Sequence, residues 1–165
     1  METNSETKNK PSRIIKSNSK RFADMERPYR HCTPLQIRFS DIDTFGHVNN
    51  SVYSSMVDIG KVNYFNAVMG KIDYSDLCVV VAAIHFDFVE PTHLTDRIEV
   101  WTMATAVSTH SFRLEQRIID ADTGHTKCAA SSVMCAISRD GVSAPLPLKW
   151  VESLEAYEES TLTEK

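Results

Sequence analysis

The chain has 165 residues, 42% of them hydrophobic, with a formal net charge of -4. That is enough for one well-buried domain and short for two. Lys and Arg do not gather into one stripe, and no apolar run approaches the ~20 residues of a membrane helix, so neither nucleic acid nor a membrane is an expected partner.

The first thirty residues are polar, rich in Lys, Asn, Ser and Glu, and show neither a helical nor a strand period. They predict a disordered N-terminal arm, residues 1–30, ahead of a single domain over 31–165. The arm lacks the apolar centre of a secretory signal, and Glu2, Glu6, Asp24 and Glu26 argue against a transit peptide. Cys32, Cys78, Cys128 and Cys135 form no C-x-x-C pair and no cysteine–histidine cluster of zinc-binding spacing. They read as free packing thiols of a reducing, cytoplasmic compartment, and no metal or cofactor is expected.

The domain opens with an apolar strand from Leu35 to Phe39. A polar loop follows, holding Asp41, Asp43, Gly46 and His47, and it runs into Asn49 and Asn50. From Asn50 to Val68, Tyr53, Met56, Val57, Gly60, Tyr64 and Val68 recur at three- and four-residue steps, one buried helical stripe. Asn49 or Asn50 suits the N-cap, and Gly70 the stop.

Four strands are predicted next. Val79 to Val89 is near-continuously apolar and ends at Glu90-Pro91; Arg97 to Val107 is rich in β-branched and aromatic residues. Ser111 to Asp120 alternates Phe112, Leu114 and Ile118 with charged residues, and Thr126 to Ser138 follows the hairpin signal Asp122-Thr123-Gly124. Pro147 to Glu159 suggests a short surface helix over the sheet edge. Strand, long helix, then a meander of four strands is an α+β arrangement in which a curved antiparallel sheet wraps one helix. One helix leaves an edge and a face only partly covered, which predicts a homodimer, most simply by continuing the sheet edge to edge, with a dimer of dimers as the larger form.

The loop before the helix is the stretch suited to chemistry. A helix start offers N–H groups without intrahelical partners and partial positive charge, able to hold the oxygen of a polarised carbonyl. A carboxylate beside it can attack that carbonyl or activate water. His85, His93, His110 and His125 lack metal-ligand spacing and read as surface or strand-end residues. No G-x-S-x-G elbow and no glycine-rich phosphate loop occurs.

The run Asp41-Ile42-Asp43-Thr44-Phe45-Gly46-His47-Val48-Asn49-Asn50, followed by Tyr53, resembles the D-x-D-x-x-G-H-V-N-N-x-x-Y motif of the hydroxybenzoyl-CoA thioesterase branch of the hotdog-fold acyl-CoA thioesterases. Phe88-Val89-Glu90-Pro91 and Asp96-Arg97-Ile98-Glu99-Val100 resemble the strand pair that follows in that fold, and the likeness covers about Pro34 to Arg139. It implies a hotdog fold and a thioesterase acting on acyl-CoA or acyl-carrier protein. It also implies that Asp43 is the catalytic carboxylate, as nucleophile or as general base. Asp41 is the structural alternative, paired with Arg38 or capping the loop. Gly46, His47, Asn49, Asn50 and Tyr53 would surround the substrate: Gly46 by letting backbone approach it, His47 by touching it or bracing the loop, Asn49 and Asn50 through helix-start amides, and Tyr53 from the apolar stripe. Two other readings use the same cleft, a hotdog-fold hydratase and a non-catalytic acyl-CoA-binding module. The hydratases carry histidine at the site, and binding alone needs no Asp43.

Overall fold

The computed structural model describes residues 11–70 and 77–163. Its elements are β1 (His31–Leu35), α1 (Asn50–Met69), β2 (Leu77–Phe88), β3 (Ile98–Val107), β4 (Ser111–Asp120), β5 (Thr126–Ser138) and α2 (Leu148–Glu158). All five strands join one antiparallel sheet in the order β1-β3-β4-β5-β2, and α1 lies on one face of it, which is the hotdog arrangement.

Two expectations are corrected here. The first strand is His31–Leu35 rather than Leu35–Phe39; Ile37 is buried beyond it, and Phe39–Asp41 form a 3-10 turn. The sequence reading started the strand after Pro34, but β1 is an edge strand, where a residue without an N–H is tolerated, and Pro34 pairs with Glu99. The four later strands are not a simple meander either. β2 crosses to the far edge and pairs with β5, so β3 finds β1 and β4 as neighbours. β1 and β2 are thereby the two edges.

The helical stripe buries Tyr53, Met56, Val57, Gly60, Tyr64 and Phe65, with Val68 half-buried. Helix and sheet meet most closely at Gly60. A β-carbon built there would stand 2.6 Å from Val100 Cγ1 and 3.2 Å from Gln116 Nε2. This close approach lets buried Gln116 on β4 donate from Nε2 to the helix carbonyl of Val57 at 2.9 Å, and to Thr102 Oγ1 at 3.1 Å. Both amide hydrogens are satisfied, so the central polar group of the sheet is also a fastener for the helix.

Residues 11–30 do not follow the expectation of a free arm. Arg13 and Tyr29 exchange backbone hydrogen bonds at 2.9 and 2.8 Å, and Ile15 and Tyr29 are buried with Trp101, Met103 and Ile119 on the sheet face away from α1. Arg117 on β4 lies beneath this segment. Its guanidinium stacks near Phe22 and Tyr29, donates to Glu115 at 3.0 Å and reaches Ala23 O at 3.4 Å. The arm is polar overall, but its few apolar side chains meet a second apolar sheet face that one helix leaves bare.

α2 is likewise more than a surface helix. Leu154 and Glu158 are buried, and Glu158 Oε1 accepts from Tyr64 Oη at 2.6 Å and Ala104 N at 3.0 Å. Arg27 from the N-terminal segment approaches its other oxygen at 3.9 Å. One carboxylate therefore joins α2, α1, β3 and the N-terminal segment. Burial raises its pKa from the ordinary 4.5, against the opposing pull of those hydrogen bonds and Arg27.

Two measurements follow from this packing. Gly60→Ala should cost about 1–3 kcal/mol by overpacking against Val100, with recovery in Gly60→Ala/Val100→Ala; denaturant midpoints equal to wild type would contradict the close approach. A carboxyl with a raised folded pKa contributes its full stability below about pH 4.5 and loses it as pH climbs through the folded value. Glu158→Gln cannot ionise, so the stability advantage of wild type over this variant should shrink with rising pH; melting curves showing a constant or widening gap would refute that.

Candidate functional site

The loop between the 3-10 turn and α1 is shaped by backbone bonds before any side chain is considered. Asp43 N donates to His47 O at 2.8 Å and Gly46 N to Asp43 O at 3.1 Å, closing a tight turn. Gly46 has φ +81°, a conformation that favours glycine, while a β-carbon there would meet nothing within 4 Å. Glycine is thus required by the turn, and this is a better account than close approach of the backbone to a ligand.

The two acids divide their work. Asp41 Oδ2 accepts from Arg38 N at 2.8 Å and Asp41 O from Asn49 N at 2.8 Å, which makes Asp41 the loop's brace. Asp43 Oδ1 accepts from Phe45 N at 2.8 Å and His47 N at 3.3 Å. Its Oδ2 has no partner among the described residues, so one oxygen fixes the carboxylate and the other is available.

α1 begins beside it. Asn49 is the N-cap: its Oδ1 accepts from Ser51 N at 3.0 Å and its carbonyl from Val52 N at 2.9 Å. Of the first-turn amides, that leaves the N–H of Asn50 without an acceptor among the described residues. The start of the helix is therefore capped on one side and open on the other.

Asp43, His47, Val48, Asn50 and Tyr53 line a hollow of about 280 Å³, closed by the end of β2 and the chain after it, Phe88 to Pro91. Tyr53 is buried, donates from Oη to Thr92 Oγ1 at 2.9 Å and packs edge-on against Phe88 with ring centres 5.2 Å apart. Burial raises its phenol pKa, the bond to Thr92 opposing, so it serves as a neutral wall and strut. The Thr92 carbonyl also accepts from Val48 N at 2.8 Å, stitching the loop to the chain that leaves β2. His47 meets His93 edge-on, ring centres 5.0 Å apart, with Asp96 3.8 Å from His93 Nδ1.

Of the residues singled out from sequence, Asp43, His47, Asn50 and Tyr53 come together around one hollow. Gly46 and Asn49 stand behind it, as turn and cap. The sequence reading passed over Thr92, Phe88 and His93 as site residues. The strand resemblance included Phe88 but neither Thr92 nor His93, which meet the lining residues Tyr53 and His47 because β2 crosses to the far sheet edge. Among the described residues no group of three His, Cys, Asp or Glu side chains is placed to hold a metal. A carboxylate with one free oxygen beside an unpaired helix-start amide can attack or hydrate a carbonyl whose oxygen that amide receives.

A family model described as the thioesterase-like superfamily matches residues 37–154. Among solved structures, a thioesterase from Thermus thermophilus, complexed with coenzyme A and zinc, is 26% identical, with TM-score 0.67 over 78% of this chain and 94% of its own. A 1,4-dihydroxy-2-naphthoyl-CoA thioesterase from Synechocystis is 22% identical, TM-score 0.69, over 75% of this chain and 94% of that one. A protein of Pseudomonas aeruginosa is 21% identical, TM-score 0.70, over 93% and 100%. At these identities the latter two attest the fold alone. No curated protein matches the chain by sequence.

Proposed function

The chain belongs to the thioesterase-like superfamily and is a thioester hydrolase; from that premise we propose that it cleaves acyl-CoA thioesters with Asp43 as the catalytic carboxylate and the Asn50 N–H as a donor to the carbonyl oxygen. The observation that carries this reading is the division of Asp43: Oδ1 is held by two backbone amides and Oδ2 is free, in a hollow that also contains Asn50. Sulfur donates poorly into the thioester carbonyl, so its carbon is open to a weak nucleophile. Asp43 either attacks it, breaking the C–S bond and releasing the thiolate to leave a mixed anhydride that water opens, or takes a proton from the attacking water, whose oxygen displaces the thiolate; the thiolate leaves as thiol with a proton from water. In both routes negative charge grows on the carbonyl oxygen, where a fixed N–H is most effective. His47 and Tyr53 wall the site and keep the loop in register. Coenzyme A rather than carrier protein is favoured by the coenzyme A bound to the Thermus relative.

The acid and the amide can be tested together. Asp43→Asn should lower kcat by about 10²–10⁴-fold on an acyl-CoA panel read by thiol release. Asn50→Pro removes the N–H together with the carboxamide, and Asn50→Ala, which removes the carboxamide alone, is its control; proline is tolerated at the first helical position, and Asn49 already has φ -59° and ψ 138°, compatible with a following proline. Asn50→Pro should cost about 10²–10³-fold in kcat while the fold is retained. Thiol release at the wild-type rate from Asp43→Asn would end the proposal.

We further propose that the working unit is a homodimer joined along β2, with a dimer of dimers as an extension. β2 is an edge of twelve residues carrying Val80, Val81, Ile84 and Phe88 exposed. A long apolar edge of this kind pairs with another strand unless it is guarded. Ile84→Lys/Val80→Lys should halve the mass measured by light scattering; a monomeric wild type would remove the basis for it. The four free cysteines accord with a reducing compartment such as the cytoplasm.

A further inference from the structure

On the sheet face opposite α1, the N-terminal segment touches the β2 edge where Ser19 Oγ donates to Asp87, and a cavity of about 330 Å³ remains beside that contact. Its walls are Arg21 and Phe22 from that segment, His85 and Phe86 from β2, Arg113 from β4, and Ser131 and Val133 from β5. The register explains the convergence. Arg113 faces Val133, and His85 faces Ser131, so residues from three neighbouring strands project to one spot.

The charge pattern is unusual for a chain of net charge -4. The side chains of Arg21, His85 and Arg113 have no hydrogen-bond or ion-pair partner among the described residues. The acids around them are engaged: Glu115 with Arg117 at 3.0 Å, Asp24 with Ser17 N at 2.7 Å, and Asp87 with Ser19 Oγ. Two guanidinium groups and an imidazole thus share a concave site with a hydroxyl at Ser131, and among the described residues no carboxylate stands within ion-pair distance of them. Guanidinium forks match phosphate oxygens in pairs, and Phe22 adds an apolar wall beside them. The volume is at the lower end of the ~300–1,000 Å³ of ligand sites.

We infer that this cavity is an anion site that takes a diphosphate joined to a ring-bearing group, as in a nucleoside diphosphate. It lies on the sheet face away from the Asp43 hollow and does not depend on the role of Asp43. The diphosphate is that of free nucleotide or of the nucleotide end of coenzyme A, and the two sources make different marks on turnover.

The test is calorimetric titration of the full chain with pyrophosphate, adenosine and ADP at low salt. Saturable binding of pyrophosphate and tighter binding of ADP are expected, with adenosine alone failing. Arg21→Gln/Arg113→Gln should weaken ADP binding at least tenfold with the melting temperature kept, since neither side chain is bonded to the rest of the fold. Asp43→Asn should bind ADP like wild type, which separates this site from the proposed catalytic one. If the double variant raises KM for acyl-CoA and ADP competes with that substrate, the occupant is the nucleotide end of coenzyme A. If KM is unchanged and ADP alters the rate without competing, it is free nucleotide. Absence of saturable pyrophosphate and ADP binding, or equal affinity in wild type and double variant, overturns the inference.

Discussion

The rest of the structure hangs on how near α1 lies to the sheet at Gly60. Any side chain at that position would push the helix off Val100 and take the Val57 carbonyl beyond the reach of Gln116. With the helix seated, Tyr53 near one end meets Thr92 and Phe88, and Tyr64 a few turns on meets Glu158. The same approach therefore sets the end of the helix beside Asp43 and the end that receives α2. Burial of Tyr53, Met56, Val57, Tyr64 and Phe65 supplies the driving force, and the hydrogen bonds fix the one seat that the apolar surface alone would leave loose.

The loop before α1 transmits that seat to the site. Its acids are two residues apart, yet one is consumed in holding the turn and the other keeps an oxygen free. The difference arises from the donors around them. Asp41 answers the amide of Arg38 at the start of the 3-10 turn, while Asp43 answers amides ahead of it, in a turn that Gly46 permits through its positive φ. Asn49 consumes the amide of Ser51 and leaves that of Asn50 open. Pre-organisation here comes from the bonds that fix Asp41, Asp43 Oδ1 and Asn49 while Asp43 Oδ2 and the Asn50 N–H stay without partners among the described residues.

The opposite face of the sheet is governed by the same requirement to cover apolar and charged groups. Ile15, Met25 and Tyr29 cap Trp101, Met103 and Ile119, and Arg117 beneath them is held by Glu115, backbone carbonyls and aromatic rings. The cover meets β2 at Asp87 but leaves a cavity beside that contact, and this is where the unpaired side chains of Arg21 and Arg113 stand.

From the sequence alone came the helix with a cap at Asn49 or Asn50 and a stop at Gly70, the β-rich second half, and the motif that singles out Asp43, because periodicity, turn chemistry and a short contiguous motif are local properties. Which of two neighbouring acids keeps a free oxygen was already inclined by the motif. The turn around Gly46 made it a matter of geometry. Only the tertiary structure decided the strand order, since the crossing of β2 to the far edge leaves no periodic mark on Val79 to Val89. It likewise decided that Pro34 lies inside an edge strand and that residues 11–30 lie on the sheet. It also brought Phe88 to the hollow and set Thr92 and His93 against Tyr53 and His47, which line it. These depend on partners distant in the chain: a polar segment with a few apolar residues is free or packed according to whether another element leaves a face uncovered, and that face exists only once the sheet has formed.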